Sequence, residues 1–134
     1  MIFVDTSALV ARYLSGDTWY QRAAPIWDQL EDQRVPLVIS SLVMEETCTM
    51  VGRRAGHRFA ANKMRLLYAS KRVTILRPEE EDERKALYLF EKYGDQRVSF
   101  TDCTSFVLMR RHRIPKAFTF DRHFRIAGFD VLDR

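Results

Sequence analysis

Four acidic residues stand where a divalent cation could bind, and they are Asp5, Glu46, Asp102 and Asp121. Asp5 directly follows the apolar run of residues 1–4, and Asp121 directly follows a second apolar run in AFTFD. Both runs predict buried strands of a parallel sheet, and open α/β sheets bind ligands at the carboxyl ends of their strands. The sequence therefore predicts that these two acids lie at one edge of a sheet.

Glu46 and Asp102 extend this acidic set from two predicted helices. Each is expected in the first turn of its helix, next to the same sheet edge if the helices follow strands directly. Four carboxylates in one pocket would repel one another, and a hard cation such as Mg²⁺ removes that repulsion through oxygen ligands. Taken singly, such acids are more often turn residues, helix caps or solvated side chains. Asp102 fits that interpretation less well, because the segment SFTDCTSFVLM is otherwise apolar and rich in small residues.

The adjacent residues Glu45 and Glu46 compete for one place in this pocket, because neighbouring helical residues point in different directions. Glu46 lies three residues after Val43 and four before Met50, so it shares their inward face. We favour Glu46 and interpret Glu45 as a solvated neighbour, without excluding the reverse.

The elements that must position these acids alternate between strands and helices. Strands are predicted at residues 1–4, 35–39, 73–76, 116–120 and 129–132. Helices are predicted at about residues 8–14, 17–33, 41–51, 58–69, 78–94 and 99–114. An interruption is predicted at residues 53–56, between the third and fourth helices. The alternation predicts an α/β fold in one domain, residues 1–134, with a short, mainly parallel central sheet flanked by helices.

Composition limits the classes of protein to which this chain can belong. Its 134 residues are 46% hydrophobic with five glycines and four prolines, which excludes a disordered or fibrous chain. Cys48 and Cys103 are too few for a disulfide framework and indicate the reducing cytoplasm. Asp5 and Arg12 interrupt the first apolar run and no window resembles a membrane span, so we expect no signal peptide and no membrane contact.

Four segments of the chain are typical of one family. IFVDTSAL, ISSLVMEETCTMV, VSFTDCTSFVLMRRHRI and AFTFDRHFRIAGFDVL occur in the order and positions of PIN-domain ribonucleases. The chain resembles this family over nearly its whole length, and in particular the VapC-type toxins of VapBC toxin–antitoxin pairs. The resemblance implies a PIN-like three-layer α/β sandwich with an acidic pocket at one end of a short parallel sheet.

The resemblance also implies a function and a role for each acid. It predicts a Mg²⁺- or Mn²⁺-dependent endoribonuclease that leaves 5′-phosphate and 3′-hydroxyl ends, acting as the toxin of a type II pair. Asp5 and Asp102 match the family's principal metal ligands, and Glu46 and Asp121 complete the shell directly or through water. The implied partners are the RNA substrate, a cognate antitoxin whose tail fills a groove, and a second copy in a homodimer.

Hydroxyl groups next to the acids could orient them. Thr6, Ser7, Thr101 and Thr119 flank the acids, and such neighbours often hold metal ligands in place. We favour Thr6 and Thr101 for this role, although helix capping and strand propensity explain each hydroxyl at least as well.

Basic side chains could bind RNA phosphates, since the formal charge of +4 and the pI of about 9.3 favour a polyanionic partner. The candidates for this contact are Arg110, Arg111, Arg122 and Arg125. A solvated helix end, with cations near the negative end of the helix dipole, is the alternative for the first two.

Other conspicuous side chains have structural interpretations. The histidines show no spacing typical of metal ligands and are expected to be surface or structural residues, namely His57, His112 and His123. The large aromatic residues expected in the core are Trp19, Trp27, Phe90 and Phe106.

Three other functions compete with the toxin hypothesis. A phospho-acceptor receiver domain also places Asp at strand ends, but it needs one in mid-chain, and the predicted strands PLVIS and VTIL end without it. A non-catalytic PIN-like scaffold that only binds RNA or protein is disfavoured because all four acids are present. A PIN nuclease of RNA maturation or turnover is the alternative within the same enzyme class.

Overall fold

The chain alternates strands with helices, as its hydrophobic pattern predicts. The computed structural model describes residues 1–134. Its strands are β1 (Ile2–Val4), β2 (Leu37–Ser40), β3 (Val73–Leu76), β4 (Lys116–Phe118) and β5 (Asp130–Leu132). Its helices are α1 (Thr6–Tyr13), α2 (Tyr20–Asp32), α3 (Ser41–Ala55), α4 (His57–Ala69), α5 (Glu80–Lys92), α6 (Phe100–Arg111) and α7 (His123–Ile126). None of these helices offers the length and apolar surface that crossing a membrane requires.

All neighbouring strands run parallel, in the order β3-β2-β1-β4-β5. β1 lies at the centre, where Phe3 pairs with Val38 of β2 on one side and with Ala117 of β4 on the other. Phe3 and Val4 are fully buried, as expected for a parallel strand that is covered on both faces. The predicted α/β fold with a short parallel central sheet is confirmed.

The strand order places the helices on two faces of the sheet. The chain moves outward from β1 to β2 and β3, and then crosses back to β4 and β5. Because crossovers between parallel strands are right-handed, α1 to α4 cover one face and α5 to α7 cover the other. The packing agrees, since α1 contacts α2 and α3, and α6 contacts α5 and α7. The direction of travel reverses between β1 and β4, and such a switch point opens a cleft at the carboxyl ends of the strands.

Aromatic side chains fill much of the core. Phe106 of α6 is fully buried, and its ring centroid lies 5.0 Å from that of Phe124 and 5.7 Å from that of Phe129. Trp27 is buried on the other face, where its indole N–H donates to the Ala8 carbonyl at 3.0 Å. Burying one such side chain contributes about 1.5–3 kcal/mol to folding.

Two of the aromatic residues predicted to lie in the core are placed differently. Trp19 is half-buried and stacks on Phe120, with ring centroids 5.0 Å apart. Phe90 is 45% exposed on α5, so its prediction as a core residue was wrong. Its ring meets Phe100 edge-on, which covers one side and leaves the other in solvent.

The helix that carries Glu46 is longer than predicted. α3 continues through Arg53 and Arg54 to Ala55, where an interruption was predicted. Arginine is a good helix former and is favourable near the negative end of the helix dipole. The helix ends at Gly56, whose φ of +96° is rarely adopted by other residues.

The segment after β4 also differs from the prediction. β4 ends at Phe118 rather than at residue 120, so Asp121 lies three residues beyond the strand. The short helix α7 follows and was not predicted, because its four residues are too few to produce a periodic pattern.

Candidate metal centre

Asp5 occupies the junction between β1 and α1. It is the N-cap residue of α1, with φ −86° and ψ 163°, but its carboxylate makes no capping hydrogen bond. Its backbone N–H donates to the Phe118 carbonyl at 3.0 Å, which joins this junction to the end of β4. Since Asp5 is only 3% exposed, its carboxylate lies buried at the switch point between the two strands.

The other three acids come from separate parts of the chain. Asp102 is 7% exposed in the first turn of α6, where Ser99 caps the helix by accepting from the Asp102 N–H at 3.0 Å. Asp121 lies in the loop after β4 with 28% of its side chain exposed. Glu46 is exposed in α3, one turn later in the helix than the sequence predicts.

These four acids line one cavity of about 310 Å³. The residues that line it are Asp5, Thr6, Ser7, Glu46, Met50, Arg97, Ser99, Asp102, Asp121 and His123. Glu45 is exposed and does not line the cavity. We call this space the acidic cavity.

Two hydroxyl groups hold the Asp5 carboxylate in place. Ser7 Oγ donates to Asp5 Oδ2 at 3.1 Å, and Thr119 Oγ1 donates to the same oxygen at 2.8 Å. The Thr119 hydroxyl also accepts from the Asp121 N–H at 2.9 Å, so it links the Asp5 carboxylate to the backbone of Asp121.

The pair favoured from the sequence, Thr6 and Thr101, does not make these contacts. The Thr6 hydroxyl is buried without a hydrogen-bond partner. Thr101 does not line the acidic cavity, and its carbonyl accepts from Ser105 inside α6. Thr119 reaches Asp5 because β4 lies beside β1, whereas Ser7 contacts Asp5 locally at the start of α1.

Burial and mutual repulsion oppose ionisation of the two most buried acids. Desolvation by burial, together with the repulsion from the charges of Asp5 and Asp121, raises the pKa of Asp102 to about 9. Burial likewise raises the pKa of Asp5 to about 6, although the Thr119 hydroxyl bond lowers it in part. At neutral pH, ionisation of Asp102 beside the charged Asp5 therefore requires a compensating cation.

The sequence predicts a surface or structural role for His123, but the structure places it at the acidic cavity. Its side chain is 16% exposed, and Nδ1 lies 2.8 Å from Asp121 Oδ1 and 3.8 Å from Asp102 Oδ2. One ligand atom from each of these three residues lies within 4.8 Å of the other two. Asp5 and Glu46 line the cavity but do not belong to this tight group. A turn of the chain brings the side chains of Asp121 and His123 together, and in this turn the His123 N–H donates to Asp121 Oδ1 at 2.9 Å. The spacing Asp121-x-His123 alone does not predict that contact.

Two of the arginines predicted to bind RNA are engaged in ion pairs within the protein. Arg111 contacts the buried carboxylate of Asp82 at 2.9 Å, across α5 and α6. Arg125 contacts Asp133 at 3.1 Å. Neither side chain lines the acidic cavity.

Arg97 is the one arginine or lysine that lines the acidic cavity, and it is not among the residues predicted from the sequence. It is exposed and has a left-handed backbone with φ 55°, which few non-glycine residues adopt. Arg110 and Arg122 are exposed outside the cavity, where Arg110 donates to the Ala127 carbonyl at 2.9 Å. A single arginine in a loop carries no periodic signal, so only the fold reveals its position.

The donor set of the acidic cavity suits a hard divalent cation. Carboxylate oxygens are the ligands that Mg²⁺ and Mn²⁺ prefer, and here they come from the junction of β1 with α1, from α3, from α6 and from the loop after β4. The raised pKa values of Asp5 and Asp102 indicate that the chain alone does not balance their charge. These residues therefore fit a metal ion.

Sequence comparison relates the chain to one family and to one nuclease. The family model for the PIN domain matches residues 2–130. The chain is 36% identical over 135 residues to the 23S rRNA-specific endonuclease VapC20 from two strains of Mycobacterium tuberculosis. The aligned region covers 96% of this chain and 95% of that protein.

Structure comparison agrees with the sequence. The crystal structure of Mycobacterium tuberculosis VapC20, described as a Sarcin-Ricin loop cleaving toxin, matches with a TM-score of 0.85 and 32% identity over 96% of both chains. A toxin–antitoxin complex from Klebsiella pneumoniae matches with a TM-score of 0.67 and 16% identity, over 98% of this chain and 96% of that one. The second similarity concerns the fold alone.

Proposed function

This chain belongs to the PIN domain family, and from that premise we propose that it is a metal-dependent endoribonuclease whose active site is the acidic cavity. The observation that carries the proposal is the convergence of Asp5, Asp102 and Asp121 from three distant segments. RNA as the substrate is supported by the 36% identity to a 23S rRNA-specific endonuclease. A receiver domain is inconsistent with this family membership.

We assign the four acids two roles in binding the cation. Asp5 and Asp102 would bind the principal Mg²⁺ or Mn²⁺, with Glu46 and Asp121 completing the shell directly or through water. When bound, such an ion activates water and offsets the charge that develops on the phosphate. Ser7 and Thr119 would support metal binding, since their hydroxyls hold the Asp5 carboxylate in one orientation.

The RNA strand needs cationic contacts next to this acidic cavity. Arg97 would contact a phosphate beside the scissile bond, a role supported by its position in the lining of the cavity. Arg110 and Arg122 are exposed and would extend this contact along the strand. In this proposal a bound cation contacts the reacting phosphate, and the arginines contact the neighbouring phosphates of the same strand.

The biological role that we propose is that of the toxin in a type II toxin–antitoxin pair. The similarity to VapC20, a protein described as a Sarcin-Ricin loop cleaving toxin, supports this role and an antitoxin partner. We further propose that residues 1–134 form a single nuclease domain, that the protein is a homodimer and that it is cytoplasmic. Co-purification with the product of an adjacent short reading frame, and light scattering of the pure protein, would test the two assemblies.

Cleavage of RNA with controlled metal content tests the enzymatic proposal. The purified chain is incubated with labelled RNA, including a fragment that carries the ribosomal sarcin–ricin loop, in EDTA and after addition of Mg²⁺ or Mn²⁺. We expect no cleavage in EDTA, restored cleavage with either ion, and a loss of at least about 100-fold in Asp102→Asn. Full activity in EDTA, or in Asp102→Asn, would overturn the proposal. RNA binding without cleavage under every condition would favour the scaffold alternative.

The neighbouring glutamates provide a matched pair of variants for the same assay. Glu46→Gln should reduce cleavage by about 10-fold or more, because its carboxylate lines the acidic cavity. Glu45→Gln should cleave at the wild-type rate, because Glu45 is exposed outside the cavity. The reverse result would assign the catalytic role to Glu45.

A further inference from the structure

The ring of His123 is oriented by one contact outside the acidic group. Its Nε2 lies 3.0 Å from the carbonyl oxygen of Gln96, in the 3₁₀ turn (Gly94–Gln96) between α5 and α6. A carbonyl oxygen can only accept a hydrogen bond, so Nε2 must carry the hydrogen. In the neutral ring, Nδ1 therefore has a free lone pair, and this atom is the one beside the carboxylates of Asp102 and Asp121.

This Nδ1 atom is buried and has no hydrogen-bond partner. Asp121 Oδ1 lies only 2.8 Å away, but not in the direction that a hydrogen bond from the ring requires. That oxygen already accepts from the backbone N–H of His123. A buried nitrogen without a partner is costly, and its position beside two carboxylates points to a ligand that all three groups share.

The distances between the three groups are compatible with one shared cation. Two ligands that each lie about 2.1 Å from one octahedral ion are separated by about 3 Å when adjacent and about 4.2 Å when opposite. His123 Nδ1 lies 2.8 Å from Asp121 Oδ1 and 3.8 Å from Asp102 Oδ2, and the group spans no more than 4.8 Å. Small movements of side chains would bring all three atoms to coordination distance.

We propose that His123 is a nitrogen ligand of the catalytic cation, which it shares with Asp102 and Asp121. This inference rests on the proposed metal-dependent nuclease function and extends it to the identity of the ion. Mg²⁺ prefers oxygen ligands, whereas first-row transition ions also bind imidazole nitrogen, so of the two ions proposed above the site prefers Mn²⁺ to Mg²⁺. The hydrogen bond to the Gln96 carbonyl fixes the ring and makes Nδ1 a stronger donor.

Spectroscopy of the bound ion tests the ligand directly. The full chain is loaded with Mn²⁺, and electron spin echo envelope modulation reports whether a nitrogen nucleus is coupled to the metal. We expect nitrogen modulation that changes on labelling histidine with ¹⁵N, that disappears in His123→Gln, and that persists in His112→Gln. His112 is exposed at the end of α6 and is a matched control among the three histidines.

Calorimetric titration of the same proteins with Mn²⁺ and Mg²⁺ measures the predicted preference. His123→Gln should weaken Mn²⁺ binding by about 10-fold or more and Mg²⁺ binding by less than about 3-fold. If His123→Gln does not fold, the labelled wild-type spectrum still decides the question. Bound Mn²⁺ without nitrogen modulation would overturn this inference and leave the nuclease proposal intact. Failure to bind either ion would overturn both.

Discussion

The buried carboxyl of Asp102 makes the stability of the metal-free protein depend on pH. Its pKa is about 9 in the folded chain, against about 3.9 when unfolded. Below about pH 4 this carboxyl is protonated in both the folded and the unfolded chain, so it does not lower the free energy of unfolding. Between about pH 4 and pH 9 the unfolded state releases its proton first, so the free energy of unfolding falls as pH rises. Asp5 adds to this effect between about pH 4 and its folded pKa of about 6.

Asp102→Asn should therefore stabilise the metal-free protein while it abolishes cleavage. Its Tm in EDTA should exceed that of the wild type, with a gain of about 1–2 kcal/mol or more at pH 8 and a smaller gain at pH 5. Asp95→Asn is the control, because Asp95 is exposed outside the acidic cavity and should change Tm equally at both pH values. Equal stability of Asp102→Asn and wild type at pH 8 would contradict the assignment of a strained charge.

We predict that Thr119 acts on the reaction through Asp5, as a positioning residue. Thr119→Val keeps the shape of this fully buried side chain but removes the donor to Asp5 Oδ2 and the acceptor for the Asp121 N–H. We expect kcat to fall by about 10–100-fold with little change in KM for RNA, together with weaker Mn²⁺ binding. Thr119→Ser should recover most of the activity.

Thr104→Val is the matched control for that variant. Thr104 is equally buried, but its hydroxyl donates to the Phe100 carbonyl inside α6 and does not line the acidic cavity. Its activity should match that of the wild type. Equal losses of activity in the two valine variants would indicate a general effect of packing rather than positioning of Asp5.

The residues that the sequence predicts and those that it misses differ in a physical way. Asp5 and Asp121 are predictable because a charge that follows an apolar strand is conspicuous in the sequence. The contacts of Thr119 with Ser7 and with Asp5 are not, since Thr119 lies 112 positions from Ser7 and 114 from Asp5 and meets them only when β1 and β4 pair. His123 was missed for a similar reason, because its distance from Asp102 is set by the path of the loop after β4.

At the scale of elements, an ion pair between α5 and α6 shows why a basic cluster need not be a binding site. Arg111 is part of a run of basic residues, yet it contacts Asp82, which is 2% exposed. Asp82 also accepts from the Glu79 N–H at 2.9 Å and so caps α5. The charge of Arg111 thereby joins two helices that flank the sheet.

Arg111→Gln should destabilise the protein without altering its affinity for RNA. Removing one partner leaves the buried Asp82 carboxylate uncompensated, at a cost of about 1–3 kcal/mol in the free energy of unfolding. Chemical denaturation measures this loss. Arg84→Gln removes an exposed pair with Glu80 and should cost less than about 0.5 kcal/mol. Weaker RNA binding with unchanged stability in Arg111→Gln would restore Arg111 as an RNA contact.

Element types were predicted better than element ends. The strand at residues 73–76 was predicted with its correct limits, because a run of β-branched and apolar residues bounded by polar ones is unambiguous. The end of α3 was not, since Arg53 and Arg54 continue the helix on its solvent side, where hydrophobic periodicity gives no information. Helix ends of this kind depend on capping and charge, which leave weak patterns in one sequence.

At the scale of the whole molecule, the topology of the sheet brings the acids together, and the net positive charge of the chain favours binding of RNA. The reversal of chain direction between β1 and β4 brings acids from distant segments to one edge of the sheet. The chain carries a formal charge of +4, yet the acidic cavity is lined by four acids and one arginine. RNA binding and cation binding therefore place opposite demands on Arg97. Its positive charge attracts RNA but repels a cation in the acidic cavity.

Arg97→Gln should separate these two demands. Removing the positive charge beside four carboxylates should strengthen Mn²⁺ binding by about 2–5-fold, because like charges no longer repel. The same change should weaken RNA binding and reduce the slope of log K against log[salt] by about 0.7, as expected for the loss of one phosphate contact to a single strand. RNA binding is measured in the Asp102→Asn background so that the strand is not cleaved.

Arg34→Gln is the matched control, since Arg34 is also an exposed arginine with a left-handed backbone, φ 50°, and lies outside the acidic cavity. It should leave Mn²⁺ binding unchanged, and its effect on the salt slope should be smaller than that of Arg97→Gln. If the two variants weaken RNA binding equally and neither alters Mn²⁺ binding, Arg97 contributes only to the general charge of the surface. Opposite changes in cation and RNA affinity in Arg97→Gln alone would show that one side chain serves the phosphate at the edge of the metal site.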